Sequence, residues 1–232
     1  MRAQLTAKIV VVALAAIAVA PASGSGTAAT ALARLKAGNQ RFQANPSEAL
    51  PIDGARRTAT AAGQSPFAIV FSCADSRVPP EVVFNTGLGD LFVVRAAGQV
   101  PDRAILASLE YGAEHLHVPL LVVMGHESCG AVKAAMESKP GSSLGANLDY
   151  LIKAIGPAVK ASPTVKAAVL ANVEENINDL LEQSPILREL AASGALTIVG
   201  AYYELASGRA HFSEPVAPPA LTRVHTTARL RH

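Results

Sequence analysis

Four short apolar segments, separated by segments of helical pattern, constrain the fold of this chain more than any other feature. They span residues 66–73, 91–97, 119–125 and 196–203, and they are rich in β-branched and aromatic residues, as strands are. Strands that are apolar at nearly every position are typical of a parallel sheet buried on both faces. The pattern therefore predicts an α/β fold with a parallel-core β-sheet flanked by helices.

The segments between these strands show the helical spacing of apolar residues. We predict helices over residues 28–43, 104–116, 130–138, 144–161 and 164–183. Thr164 is a suitable N-cap for the last of them. Residues 45–63 look instead like an extended polar connection.

The first 22 residues have the layout of a secretory signal peptide. Arg2 and Lys8 precede an apolar run over residues 9–20, and an Ala-Pro-Ala triplet at 20–22 offers the small residues that signal peptidase accepts. The run is shorter than the roughly 20 residues that a membrane anchor needs. We therefore expect cleavage after the triplet and an exported protein, either periplasmic or secreted.

The mature chain reads as one domain over residues 23–212, followed by a poorly ordered tail over 213–232 with several prolines. Arg2 and Lys8 account for the formal net charge of +2, so this domain is neutral. A neutral domain lacks the basic surface that nucleic acid or anionic lipid requires. We expect neither partner once the signal peptide is removed.

Three potential metal ligands stand at the ends of two predicted strands. Cys73 closes the first strand, His126 follows the third, and Cys129 lies shortly after His126. Ligand sites of open α/β sheets lie at the carboxyl ends of strands. Two Cys and one His can bind Zn²⁺ and leave its fourth tetrahedral position open.

A disulfide between Cys73 and Cys129 is the alternative, because an exported chain meets an oxidising compartment. A disulfide alone requires neither the nearby His126 nor the Asp-x-Arg sequence that adjoins Cys73. The flanking residues therefore favour the metal site.

Asp75 and Arg77 lie beside the first cysteine. Alternate residues of an extended segment point the same way, so the two side chains are expected to meet. They form either an ordinary surface ion pair or a pair in which Arg77 keeps Asp75 ionised next to the metal.

The chain resembles the β-class carbonic anhydrases in several motifs. Cys-x-Asp-x-Arg at 73–77 and His-x-x-Cys at 126–129 are joined by GNQRF at 38–42, GQSPF at 63–67, GDLFVVR at 89–95 and SLEYGAEHL at 108–116. The resemblance extends from about Leu35 to Tyr203. It implies a β-carbonic-anhydrase-like fold, one zinc per subunit, and a homodimer or higher homo-oligomer. It also implies a zinc lyase that hydrates CO₂ reversibly to bicarbonate and a proton by zinc-bound hydroxide.

The resemblance also assigns roles to individual residues. Cys73, His126 and Cys129 match the zinc ligands, and Asp75 with Arg77 matches the catalytic dyad. In some relatives the same aspartate binds the metal as fourth ligand, so Asp75 or water fills that position here.

Further residues match the substrate pocket of the family. Gln64 matches an amide that binds substrate, Phe92 and Tyr111 match an aromatic wall partly supplied by a neighbouring subunit, and the Gly130 amide matches a bicarbonate contact. His115 shares a helix face with Tyr111 and matches a proton relay of some relatives, although a surface histidine is an equal alternative.

Two other functions stay open at this point. The first is hydrolysis of carbonyl sulfide or carbon disulfide, which relatives on the same fold catalyse. The second is a zinc- or bicarbonate-binding module without catalysis. The intact pair of Asp75 and Arg77 favours catalysis, and the retained Gln64 favours CO₂ as the substrate.

Overall fold

Five strands form one mixed sheet in the computed structural model, which describes residues 26–160 and 162–216. The strands are β1 (Ala68–Cys73), β2 (Leu91–Ala96), β3 (Leu120–His126), β4 (Thr197–Tyr203) and β5 (Ala210–Pro215). Their spatial order is β2-β1-β3-β4-β5, with the first four parallel and β5 antiparallel to β4. The predicted parallel core is confirmed.

Helices cover both faces of this sheet. They are α1 (Ala28–Ala44), α2 (Gly54–Thr60), α3 (Pro80–Val83), α4 (Arg103–Glu110), α5 (Gly130–Glu137), α6 (Ala146–Lys160), α7 (Val165–Gln183) and α8 (Pro185–Ala192). A 3₁₀ turn over Ala97–Gln99 follows β2, and a π-helical turn over Tyr111–His115 continues α4. The five predicted helices are present, and Thr164 caps α7 by accepting a hydrogen bond from the Ala167 amide.

The two central strands explain the apolar pattern. Every residue of β1 and β3 is buried. Val70 and Val122 point to the face covered by α1, α5 and α6, whereas Ile69 and Leu121 point to the face covered by α4, α7 and α8. Because both faces are covered, these strands have no polar alternation.

Helix α2 and strand β5 differ from the expectation for their segments. The 45–63 connection contains α2, whose N-cap Asp53 accepts a hydrogen bond from the Arg56 amide. No residue of α2 is buried, so apolar spacing gave no helical signal there. The domain boundary predicted at 212/213 falls inside β5, which pairs with β4 up to Pro215. The exposed, polar β5 lacked a strand pattern.

The GNQRF segment holds α1 against the rest of the domain. A Cβ on Gly38 would stand 1.8 Å from the carbonyl oxygen of Phe84, so only glycine allows this approach. The buried Asn39 side chain donates to the carbonyls of Val83 (3.0 Å) and Gly208 (2.8 Å). This motif therefore has a packing role.

The predicted signal peptide and residues 217–232 of the predicted tail lie outside the described residues. Within residues 26–160 and 162–216, no helix combines the length and the apolar character needed to cross a membrane.

Candidate metal centre

Neighbouring strands bring the three predicted ligands together. Cys73 ends β1 and His126 ends β3, and these strands pair in parallel with Ser72 opposite Met124. Ser128 then adopts a left-handed backbone conformation (φ 55°), which turns the chain so that Cys129 becomes the N-cap of α5. The positive end of the α5 dipole favours the thiolate form of a cysteine at this position.

The two sulfur atoms and one histidine nitrogen lie within 4.8 Å of one another, and all three residues are buried. The Nδ1 atom of His126 lies 2.9 Å from the carbonyl oxygen of Glu127, which fixes the proton on Nδ1. The Nε2 atom of His126 then carries a free lone pair that can bind a metal. It is buried without a hydrogen-bond partner among the described residues. A buried nitrogen with a free lone pair and no hydrogen-bond partner fits the role of a metal ligand.

The two cysteines form no disulfide. The closeness of the two thiols is the largest influence on both, and it lowers the pKa of Cys73 and raises the pKa of Cys129. Thiolates are the form in which cysteines bind metals, so both sulfurs would hold a metal as thiolates.

This donor set suits zinc. Two thiolates and one imidazole, convergent and buried, match the soft and borderline ligands that Zn²⁺ prefers, with three protein ligands as in catalytic sites. The residues present therefore fit the ion.

Asp75 and Arg77 form a bidentate ion pair beside the cluster. Arg77 Nη2 lies 2.6 Å from Asp75 Oδ2, and its Nε lies 2.8 Å from Oδ1. A turn rather than an extended segment brings them together, because the Arg77 amide also donates to Oδ1. The hydrogen bonds from Arg77 hold the pKa of the Asp75 carboxyl well below its usual range. Asp75 Oδ2 lies 3.8 Å from His126 Nε2, so this carboxylate borders the cluster.

Arg95 is a site residue that the sequence analysis did not identify. Its Nε donates to the Cys73 carbonyl (2.9 Å) and its Nη2 donates to the Asp75 carbonyl (2.6 Å). It therefore fixes the backbone that carries a ligand and the carboxylate. A cation in a strand that is otherwise apolar, opposite Ser72, was the signal available in the sequence.

Gly130 opens the first turn of α5 next to Cys129 and is exposed. A Cβ built on it would have no atom within 4 Å, so there is room beside the backbone at this helix start. A helix start of this kind can receive an anion, and the predicted bicarbonate contact of Gly130 stays a prediction.

The other predicted pocket residues lie away from the cluster within one chain. Phe92 packs on Tyr111 (ring centroids 6.1 Å), and Tyr111 packs on the exposed His115 (5.5 Å). Phe92 pairs with Ile69, whereas Cys73 pairs with Ala96 near the far end of the same strands. Phe92 therefore lies four residues, or about 13 Å, along the strands from the level of Cys73.

Gln64 is exposed and precedes the start of β1, at the opposite edge of the sheet from Cys73. The chain therefore brings together the three ligands, Asp75, Arg77 and Gly130, but not Gln64 or the aromatic group.

Comparison with known proteins identifies the family. The sequence model of the carbonic anhydrase family matches residues 68–210. Carbonic anhydrase 2 of Mycobacterium tuberculosis is 42% identical over 186 residues, which cover 76% of this chain and 88% of the relative. The chain belongs to the β-class carbonic anhydrase family.

Solved structures of the family share the fold. A Coccomyxa β-carbonic anhydrase in complex with acetazolamide superposes with a TM-score of 0.64 at 27% identity, covering 71% of this chain and 80% of the other. One of two tetrameric β-carbonic anhydrases from Sordaria macrospora gives 0.60 at 25% identity, covering 82% and 97%. β-Carbonic anhydrases use zinc, and the Cys73–His126–Cys129 cluster of this chain could hold a metal ion.

Proposed function

We propose that this chain catalyses the reversible hydration of CO₂ to bicarbonate and a proton at a zinc ion held by Cys73, His126 and Cys129. The convergence of these buried ligands beside Asp75 carries the proposal. The relatives named above are carbonic anhydrases, and they give no support to a carbonyl sulfide or carbon disulfide hydrolase or to a module without catalysis.

Asp75, Arg77 and Gly130 have distinct roles beside the zinc ligands. When bound, zinc supplies a Lewis acid that lowers the pKa of water. The Asp75 carboxylate accepts a hydrogen bond from the reacting solvent and orients it, and the Arg77 ion pair keeps that carboxylate ionised and in place. The open first turn of α5 at Gly130 offers an N–H group to the bicarbonate anion.

Zinc analysis combined with stopped-flow CO₂ hydration tests this function on the purified protein. We expect close to one zinc per chain and a hydration rate that disappears when a chelator removes the metal and returns when zinc is restored. A zinc-loaded protein with no hydration above the uncatalysed rate would contradict the proposal.

We infer that the active protein is a homodimer or higher homo-oligomer in which a second copy supplies the pocket wall. Tyr111 is 45% exposed, and Gln64 lies at the opposite edge of the sheet from the ligands of its own chain. A second copy that places these residues over the cluster completes the pocket. The tetrameric Sordaria relatives support association of this fold.

Mixing two inactive variants tests this arrangement. Cys73→Ser removes the metal site, and Gln64→Ala removes the pocket amide. If Gln64 acts on the site of the other copy, hybrids of the two variants contain one intact site and regain part of the parent activity after exchange of subunits. Light scattering should give at least twice the mass of one chain. A fully active monomer would contradict the inference.

Export is a separate proposal, which rests on the signal-like residues 1–22. Expression of the full chain in a Gram-negative host, followed by mass spectrometry of the periplasmic protein, should find Ser23 at the N-terminus. A chain from which residues 9–20 are deleted is the control and should stay in the cytoplasm. An intact N-terminus on a cytoplasmic full-length protein would contradict export.

A further inference from the structure

The 3₁₀ turn after β2 donates a hydrogen bond to a zinc ligand. The amide N–H of Gly98 points at the Sγ atom of Cys73 at 3.3 Å. Gly98 (φ 63°) and Gln99 (φ 44°) are both in the left-handed region, which a non-glycine residue such as Gln99 rarely adopts. The turn therefore requires support from its surroundings to keep this N–H on the sulfur.

Asn172 of α7 provides that support. Its Nδ2 donates to the carbonyl oxygen of Gly98 at 2.9 Å, and the residue is only 1% exposed. A Cβ on Gly98 would stand 2.8 Å from Ile155 Cδ1, so α6 closes the other side of the turn. The peptide groups of Gly98 are therefore held from both directions, one by Asn172 and one by Cys73.

We propose that Asn172 is a positioning residue for the metal site, which acts through Gly98 on the Cys73 sulfur. An N–H group that donates to a thiolate withdraws electron density from it and fixes the direction of its lone pairs. Asn172 thereby tunes the charge that Cys73 gives to the metal and the geometry in which it binds. This inference rests on the proposed zinc site.

Asn176 provides a matched control on the same helix. It is also a buried asparagine, 3% exposed, and its Nδ2 has no hydrogen-bond partner within the part of the chain that the structure describes. Leucine has nearly the shape of asparagine, so Asn172→Leu and Asn176→Leu make the same chemical change one helical turn apart. Only the first removes a contact to Gly98.

Cobalt substitution and zinc competition measure how the Asn172 substitution changes the metal site. Under anaerobic conditions the Co²⁺-loaded parent should show a thiolate-to-cobalt charge-transfer band. In Asn172→Leu this band should move to lower energy, because the turn loses its support and the Gly98 N–H hydrogen bond to the Cys73 sulfur weakens. Competition with a chromophoric chelator should show zinc affinity about tenfold weaker. Asn176→Leu should match the parent in both measurements.

The outcomes distinguish failure of the zinc site from failure of the positioning role of Asn172. A Co²⁺-loaded parent protein without a thiolate-to-cobalt band would contradict the proposed zinc site. The proposed CO₂ hydration is tested separately by the stopped-flow assay. If Asn172→Leu has the parent's band and zinc affinity, or if Asn176→Leu shifts both equally, the positioning role is wrong. Asn172→Ala is judged by the same measurements if the leucine variant does not fold.

Discussion

Asp75 Oδ2 lies 2.6 Å from Arg77 Nη2 and 3.8 Å from His126 Nε2, so one carboxylate oxygen stands between the guanidinium and the metal cluster. The ion pair engages both carboxylate oxygens of Asp75. With both oxygens of Asp75 held by Arg77, we expect solvent rather than Asp75 to fill the fourth position of a zinc ion bound by the cluster.

Loss of a ligand should remove metal and activity together. We expect His126→Ala and Cys73→Ser to purify with well under one zinc per chain and without CO₂ hydration, because two remaining ligands hold zinc weakly. His211→Ala, at an exposed histidine beside Glu204, is the control and should keep both. Full zinc content in His126→Ala would remove this residue from the ligand set.

Asp75→Asn should separate zinc binding from catalysis. The variant keeps the shape of the side chain but loses the charged acceptor, so we expect normal zinc content and a hydration rate lower by about 10²-fold. Asp149→Asn, near the start of α6 and outside the metal cluster, should leave the rate unchanged. Parent-like activity in Asp75→Asn would limit Asp75 to a structural role.

Arg77→Gln should raise the pKa of Asp75 towards its ordinary value, since the Arg77 hydrogen bond is the largest cause of its depression. Carbon-13 NMR titration of the Asp75 carboxyl compares the two proteins. A carboxyl with a depressed folded-state pKa stabilises the folded chain above the unfolded value of about 3.9, and this contribution disappears as the pH falls through the folded value. Identical titrations in both proteins would show that Arg77 does not control Asp75.

X-ray absorption of the zinc protein at neutral pH should detect two sulfurs, one imidazole nitrogen and one light solvent atom. We expect no carboxylate in this shell, because Arg77 holds both oxygens of Asp75. A spectrum that requires a carboxylate at neutral pH would mean that Asp75 leaves Arg77 when zinc binds.

Gly38→Ala should destabilise the domain without touching the metal site. The added Cβ would stand 1.8 Å from the Phe84 carbonyl oxygen, so α1 must shift, and we expect a loss of about 2 kcal/mol or more in the free energy of unfolding. Gly156→Ala in α6 meets no atom within 4 Å and is the control, expected to stabilise slightly. Denaturant unfolding measures both, and equal stability of the two variants would argue against the close contact.

The sequence alone determined the parallel core and the metal ligands. Continuous apolar runs such as that of β3 occur where a strand is buried on both faces, and ligands at the carboxyl ends of parallel strands lie at the same edge of the sheet. Cys73, His126 and Cys129 could therefore be assigned from their positions along the chain. The spacing of Asp75 and Arg77 also predicted that their side chains meet, and the family motifs assigned the catalytic role to this pair.

Only the tertiary structure decided which groups hold that site in place. The contacts of Arg95 with the Cys73 and Asp75 carbonyls, and of Asn172 with Gly98, join segments far apart in the chain and depend on the register of β1 with β2 and on the packing of α7. Helix α2 and strand β5 escaped detection because neither shows an apolar period. The spacing of apolar residues along the chain predicts which faces of helices and strands are buried. Polar contacts between distant segments depend instead on how these elements pack.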